Sequence, residues 1–120
     1  LCEGQDEGGV MNAIGHTLLE QMVYQDGQLI NPNLIDYRVP TFENLPQRFE
    51  STLVESHNGP GPFGAKGTGE GGLLPVASAI GNALYQAAGL RLYRLPLTPE
   101  SVWHGLQKKI GARVCGERTI

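Results

Sequence analysis

Ser56-His57-Asn58-Gly59-Pro60-Gly61-Pro62-Phe63-Gly64-Ala65-Lys66-Gly67-Thr68-Gly69-Glu70-Gly71-Gly72 places seven glycines in 17 positions. A loop of that length inside a domain is uncommon unless it is functional or disordered. Leu73 to Ala88 follows as a helix, with Pro75 in its first turn and Gly89 as its C-terminal stop. Its small residues Ala77, Gly81 and Ala83 would let that helix sit deep in a larger body. The glycine stretch therefore delivers a nearly bare backbone, one carboxylate and one ammonium group to the start of an apolar helix.

Working outward from the loop, Arg48 to Glu55 is rich in Phe, Thr, Leu and Val and predicts a strand. Leu90 to Leu95 alternates apolar and polar residues and predicts a half-buried strand. Thr98-Pro99 caps and starts a third helix carrying Val102, Trp103, Leu106 and Ile110. Residues 111–120 have no pattern and are expected to form a loose tail. Towards the N-terminus, Val10, Ile14, Leu18 and Met22 recur every four residues, the stripe of an amphipathic helix over Gly9 to Met22. Gly15 within it costs about 1 kcal/mol relative to alanine, which suggests that another backbone approaches there. Val23 to Ile30 predicts a hairpin turning at Asp26-Gly27, since Asp-Gly supplies the positive φ angles of a tight turn. Leu34 to Val39 fits a short strand or one helical turn, ended by Pro40. The fold class is α+β, about three helices with short strands, and no internal repeat is visible.

Composition narrows the function classes. The chain of 120 residues has 17 Gly and 8 Pro, a net charge of −3, and 40% hydrophobic and 18% charged residues. That is enough for one domain, and the acidic balance lacks the basic face that a phosphate backbone needs, so no nucleic-acid partner is expected. No stretch is long and apolar enough for a membrane span. The two cysteines, Cys2 and Cys115, sit near opposite ends and form no CxxC motif. They read as free thiols sooner than as a disulfide. His16, His57 and His104 have no ligand spacing, so no metal is expected on this chain's own side chains.

Two phosphate motifs fail on the loop. Gly59 to Gly64 formally matches G-x-G-x-x-G, but no helix opens at that turn and two prolines remove N–H donors. Lys66 lies between Ala65 and Gly67, which does not fit a P-loop. What remains is Glu70 among residues with almost no side chains, either a general base with room to reach a reacting group or an acidic residue that caps the next helix.

Four motifs in order, Gly4-Gln5-Asp6-Glu7-Gly8-Gly9, Asn31-Pro32-Asn33-Leu34-Ile35-Asp36-Tyr37-Arg38-Val39-Pro40, Gly64-Ala65-Lys66-Gly67-Thr68-Gly69-Glu70 and Leu95-Pro96-Leu97-Thr98-Pro99-Glu100, resemble the closing segment of the molybdenum hydroxylases. That is the xanthine dehydrogenase, aldehyde oxidase and carbon monoxide dehydrogenase large-subunit family. The resemblance implies that residues 1–110 are the C-terminal part of a molybdopterin-binding domain. It implies a molybdenum–molybdopterin cofactor, in its plain or cytosine dinucleotide form, and hydroxylation of an aldehyde or N-heterocycle carbon with water-derived oxygen. Glu70 then corresponds to the general base, Gln5 to a hydrogen-bond donor beside the metal centre, and Ala65, Lys66, Gly67 and Gly69 to the pterin-side loop. The partners implied are the upstream part of the large subunit, a small-molecule substrate, and iron–sulfur (2Fe-2S) and flavin (FAD) subunits or domains. A non-catalytic relic or subunit-docking fragment of the same fold is the alternative. Thr68 stands where relatives commonly have Val or Met, and Gly71-Gly72 where the animal enzymes carry two prolines, which points to bacterial branches. A cytoplasmic location is expected, with periplasmic export alongside a partner as the other option.

Overall fold

The structure, a computed structural model, describes residues 1–116, with side chains through residue 111. In chain order it contains α1 (Cys2–Ile14), a π-helical turn (Gly15–Leu19), β1 (Tyr24–Gln25), β2 (Gln28–Leu29), two 3₁₀ turns (Phe42–Asn44 and Pro62–Gly64), α2 (Val76–Ala88) and α3 (Pro99–Gly116). Three helices and a two-stranded antiparallel hairpin make a small α+β unit.

The first helix starts seven residues before the expected Gly9 and stops well before Met22. Helix propensity disfavours Gly4, Gly8 and Gly9, but a close tertiary contact overrides it. A Cβ built on Gly9 would lie 3.4 Å from the Leu73 backbone nitrogen, so this helix face admits the chain end of the glycine loop. At the other end the Glu20 N–H donates to the Gly15 carbonyl at 2.8 Å, an i→i+5 bond that makes the last turn a π turn. The group close to Gly15 is not a second backbone. A Cβ there would run into the Glu20 carboxylate and lie 2.9 Å from the Pro40 ring.

The hairpin forms at the expected place. Tyr24 pairs with Leu29 and Gln25 with Gln28, and Asp26 and Gly27 supply φ values of 48° and 80°. Leu34 to Val39 takes the helical-turn option, with the Tyr37 N–H donating to the Asn33 carbonyl at 2.9 Å. The two longer predicted strands are absent. Leu90 to Leu95 does alternate, with Leu90 buried, Leu92 half-buried and Arg91, Tyr93 and Arg94 exposed, but no strand lies beside it to form a ladder. Its apolar side chains pack on α3, where a Cβ on Gly105 would be 3.0 Å from Leu90 and 3.2 Å from Leu92. Arg48 to Glu55 likewise runs without a pairing partner. A period-two pattern specifies which side chains share a face, and a strand also needs a neighbour.

Helix α2 begins three residues later than expected and ends as predicted, with Gly89 left-handed at φ 59°. Lys109 of α3 donates to the Ala88 and Gly89 carbonyls at 2.6 and 2.8 Å, tying α3 to that helix end. Thr98 caps α3, its hydroxyl oxygen accepting the Ser101 N–H at 3.1 Å. The helix runs on to Gly116, through the first part of the expected tail; residues 117–120 lie outside the described residues.

The core is small: Ala13, Ile14, Leu90 and Leu97, with the Leu97 N–H donating to the carbonyl of the wholly buried Thr17. The accessible surface is 9880 Å², against roughly 6,300 Å² expected for a compact monomer of this mass. The radius of gyration is 19.3 Å, where roughly 13.6 Å would be usual for this length. Helix α2 buries none of its side chains, and Phe42, Phe63, Ile35 and Val54 are exposed. The chain by itself leaves many large apolar side chains uncovered.

Candidate functional site

The site is built where the end of the glycine loop meets α1. The loop first crosses itself: Gly59 and Gly61 donate their N–H groups to the carbonyls of Gly64 and Ala65, both at 3.1 Å. The crossing requires Gly64 at φ 78°, because a Cβ there would lie 2.6 Å from the His57 carbonyl carbon and against its oxygen. Ala65 closes the 3₁₀ turn by donating to the Pro62 carbonyl at 3.2 Å. Lys66 folds back onto the crossing, its Nζ donating to the Ser56 hydroxyl and its stem lying against Gly59. The ammonium group thus stays within the loop.

Beyond Lys66 the backbone opens. Gly67, Gly69 and Gly71 have nothing within 4 Å of the Cβ position. Among the described residues, no N–H from Lys66 to Gly72 donates to a protein acceptor, and the first that does is Leu73, to the Glu70 carbonyl at 3.2 Å. Glu70 is exposed and its carboxylate takes no hydrogen bond from a described residue. It does not cap α2, which starts six residues later at Val76, with Pro75 as its N-cap and no side-chain cap.

Gly72 then lands on α1. A Cβ built on it would be 2.7 Å from both the carbonyl oxygen and Oδ1 of Asp6 and 3.3 Å from Val10. Asp6 follows Gln5 in the helix, so the contact sets residues two positions after Glu70 against the residue next to Gln5. The fold therefore brings chain neighbours of the two candidates, which are 65 residues apart in sequence, into contact. Gln5 is exposed on α1, its N–H donating to the Leu1 carbonyl at 3.0 Å and its amide side chain holding no bond to a described residue. Ala65, Lys66, Gly67 and Gly69 share the loop with Glu70; of these, Ala65 and Lys66 belong to the crossing and Gly67 and Gly69 to the open part.

Asp6 and Ser51 were not singled out by the sequence. The Ser51 hydroxyl donates to Asp6 Oδ2 at 2.9 Å across 45 residues, a separation that carries no local signal. No group of three or more His, Cys, Asp or Glu side chains forms a metal site among the described residues.

The donor set fits an anionic, hydrogen-bond-accepting group such as a pterin phosphate. Seven consecutive N–H groups, Lys66 to Gly72, have no acceptor among the described residues, the Cβ positions of Gly67, Gly69 and Gly71 are open, and the Gln5 amide on the adjoining helix has no described partner. Glycine backbones permit close approach of such a group, and successive N–H groups make a concave anion site.

Residues 1–46 match the family model described as a molybdopterin cofactor-binding domain. Over 105 residues the chain is 43% identical to the xanthine dehydrogenase molybdenum-binding subunit of Escherichia coli O157:H7, covering 86% of this chain and 14% of that protein. It is 40% identical over 106 residues to the nicotine 6-hydroxylase large subunit of Paenarthrobacter nicotinovorans, covering 85% and 13%. The crystal structure of quinoline 2-oxidoreductase from Pseudomonas putida 86 superposes with a TM-score of 0.69 at 34% identity, covering 88% of this chain and 14% of that one. The chain belongs to the molybdenum hydroxylase large-subunit family. It spans about one-seventh of the length of the relatives it matches. By name these relatives are a molybdenum-binding dehydrogenase subunit, a hydroxylase large subunit and an oxidoreductase, and among the described residues no helix is long and apolar enough to cross a membrane.

Proposed function

We propose that this chain contributes the general base and one wall of the cofactor site to a molybdenum hydroxylase acting on an aldehyde or N-heterocycle carbon. The observation that carries the reading is the placement of Glu70: exposed, free of any capping role, and set at the end of an open glycine backbone that is packed against the helix bearing Gln5. When bound, the molybdenum–molybdopterin group, plain or as the cytosine dinucleotide, supplies a two-electron centre for oxidising the substrate carbon with oxygen taken from water.

The chain's own residues do the rest. The N–H groups of Lys66, Gly67 and Gly69 would donate to the pterin side, and Ala65, whose N–H and carbonyl are both held in the crossing, aims the backbone there. The Gln5 amide donates from α1. The Glu70 carboxylate takes the proton released as water-derived oxygen attacks, a role worth about 10²- to 10⁴-fold in rate. Lys66, held by Ser56, fixes the loop's exit direction rather than reaching the reacting atoms. The uncovered apolar faces of α2 and the loops dock onto the remainder of the large subunit. The 2Fe-2S and FAD groups that would accept the electrons are expected on partner subunits or domains.

Glu70→Gln in the assembled holoenzyme tests this. Molybdenum and pterin content should match wild type while kcat falls by about 10²-fold or more. Near-normal turnover would remove Glu70 from the role.

A further inference from the structure

We infer that Asp6 is a positioning residue that clamps the end of the glycine loop to α1 and so fixes where the Glu70 carboxylate stands. The inference rests on the proposed role of Glu70 for its catalytic consequence, but its geometry stands apart from it. Asp6 joins three separate parts of the chain at this junction. It belongs to α1, its Oδ2 accepts the Ser51 hydroxyl at 2.9 Å, and its Oδ1 and carbonyl oxygen face Gly72.

A Cβ on Gly72 would be 2.7 Å from each of those oxygens, so the Cα–H in its place points at them. Two such C–H···O contacts are individually weak. They act here on a backbone that has few other anchors, since Glu70 and Gly71 have open surroundings and donate no N–H to a described acceptor. The Gly9–Leu73 approach at 3.4 Å keeps the next residue on the same helix face. Ser51 holds the Asp6 side chain in the rotamer that faces Gly72. It also fastens the otherwise unpaired segment 48–55 to α1. Removing the carboxylate frees the loop end at its first fixed point on α1 after Glu70, and a shift of about 1 Å in a reacting group costs up to about 10²-fold.

The experiment compares Asp6→Ala, Asp6→Asn and Ser51→Ala holoenzymes by hydrogen exchange and by steady-state kinetics, with molybdenum content measured on each. The clamp predicts that the Leu73 amide, which is bonded to the Glu70 carbonyl, exchanges about tenfold faster in Asp6→Ala and also faster in Ser51→Ala. It predicts a kcat about tenfold lower in Asp6→Ala at unchanged KM and unchanged molybdenum content, with Asp6→Asn recovering most of both effects. Unchanged exchange of the Leu73 amide in Asp6→Ala overturns the clamp, as does a fall in kcat that tracks cofactor loss. If Glu70→Gln is fully active while the exchange result holds, the base assignment fails and the clamp stands.

Discussion

Gly64 and Gly27 offer a paired test of how the loop crossing controls the site. Both have positive φ, 78° and 80°, so alanine at either position carries the same left-handed penalty of about 1–2 kcal/mol. They differ in surroundings. The Cβ position of Gly27 is open, whereas at Gly64 it lies 2.6 Å from the His57 carbonyl carbon and 2.9 Å from the His57 Cα. Ordinary carbon contacts start near 3.5 Å, so Gly64→Ala must part the two backbones by roughly 0.9 Å. That parting strains the Gly59–Gly64 and Gly61–Ala65 hydrogen bonds and swings the open backbone that carries Glu70. A displacement of about 1 Å at the reacting group corresponds to up to about 10²-fold in rate. Steady-state kinetics of the two holoenzymes, with molybdenum content and thermal midpoint measured in parallel, should show a lower midpoint in both, lowest in Gly64→Ala, and a much lower kcat only in Gly64→Ala. A Gly64→Ala enzyme whose kcat lies within about threefold of Gly27→Ala would refute the link between the crossing and the base.

Two further predictions concern the scaffold. The Tyr37 phenol donates to Glu20 Oε2 at 2.6 Å, and that hydrogen bond, then desolvation and the glutamate's charge, raise its pKa above the ordinary 10.0. The bond's stabilisation is therefore complete below the ordinary tyrosine pKa and lost as pH rises through the raised folded value. Ultraviolet titration should show a late-ionising tyrosine that Tyr37→Phe removes, and persistence of the late component in that variant would contradict the assignment. At α3, Thr98 accepts the Ser101 N–H at 3.1 Å and shares a 2.9 Å hydroxyl contact with it. Thr98→Ala should cost about 1 kcal/mol, read as a lower denaturation midpoint with kcat unaffected; an unchanged midpoint would show that the cap contributes nothing.

Local chemistry was readable wherever it needed no distant partner. Asp26-Gly27 set the hairpin, Gly89 the end of α2, and Thr98-Pro99 the start of α3. What failed needed tertiary information. Leu90 to Leu95 has strand periodicity, yet its leucines pack on Gly105 of a helix instead of lying in a ladder. The start of α1 was hidden because Gly4, Gly8 and Gly9 look unfavourable until the contact between Gly9 and Leu73 is known. Gln5 and Glu70 stood out through motifs, and the fold adds the junction between their neighbours. Asp6 and Ser51 stayed invisible because a hydrogen bond spanning 45 residues leaves no mark on local pattern.

The role of Glu70 is tested most directly in the reductive half-reaction, with substrate mixed anaerobically with excess oxidised holoenzyme and the first turnover followed spectroscopically. Glu70→Gln with full molybdenum content should slow that single turnover by about 10²-fold or more, leaving substrate affinity close to wild type. A first-turnover rate within about threefold of wild type would contradict proton transfer by Glu70.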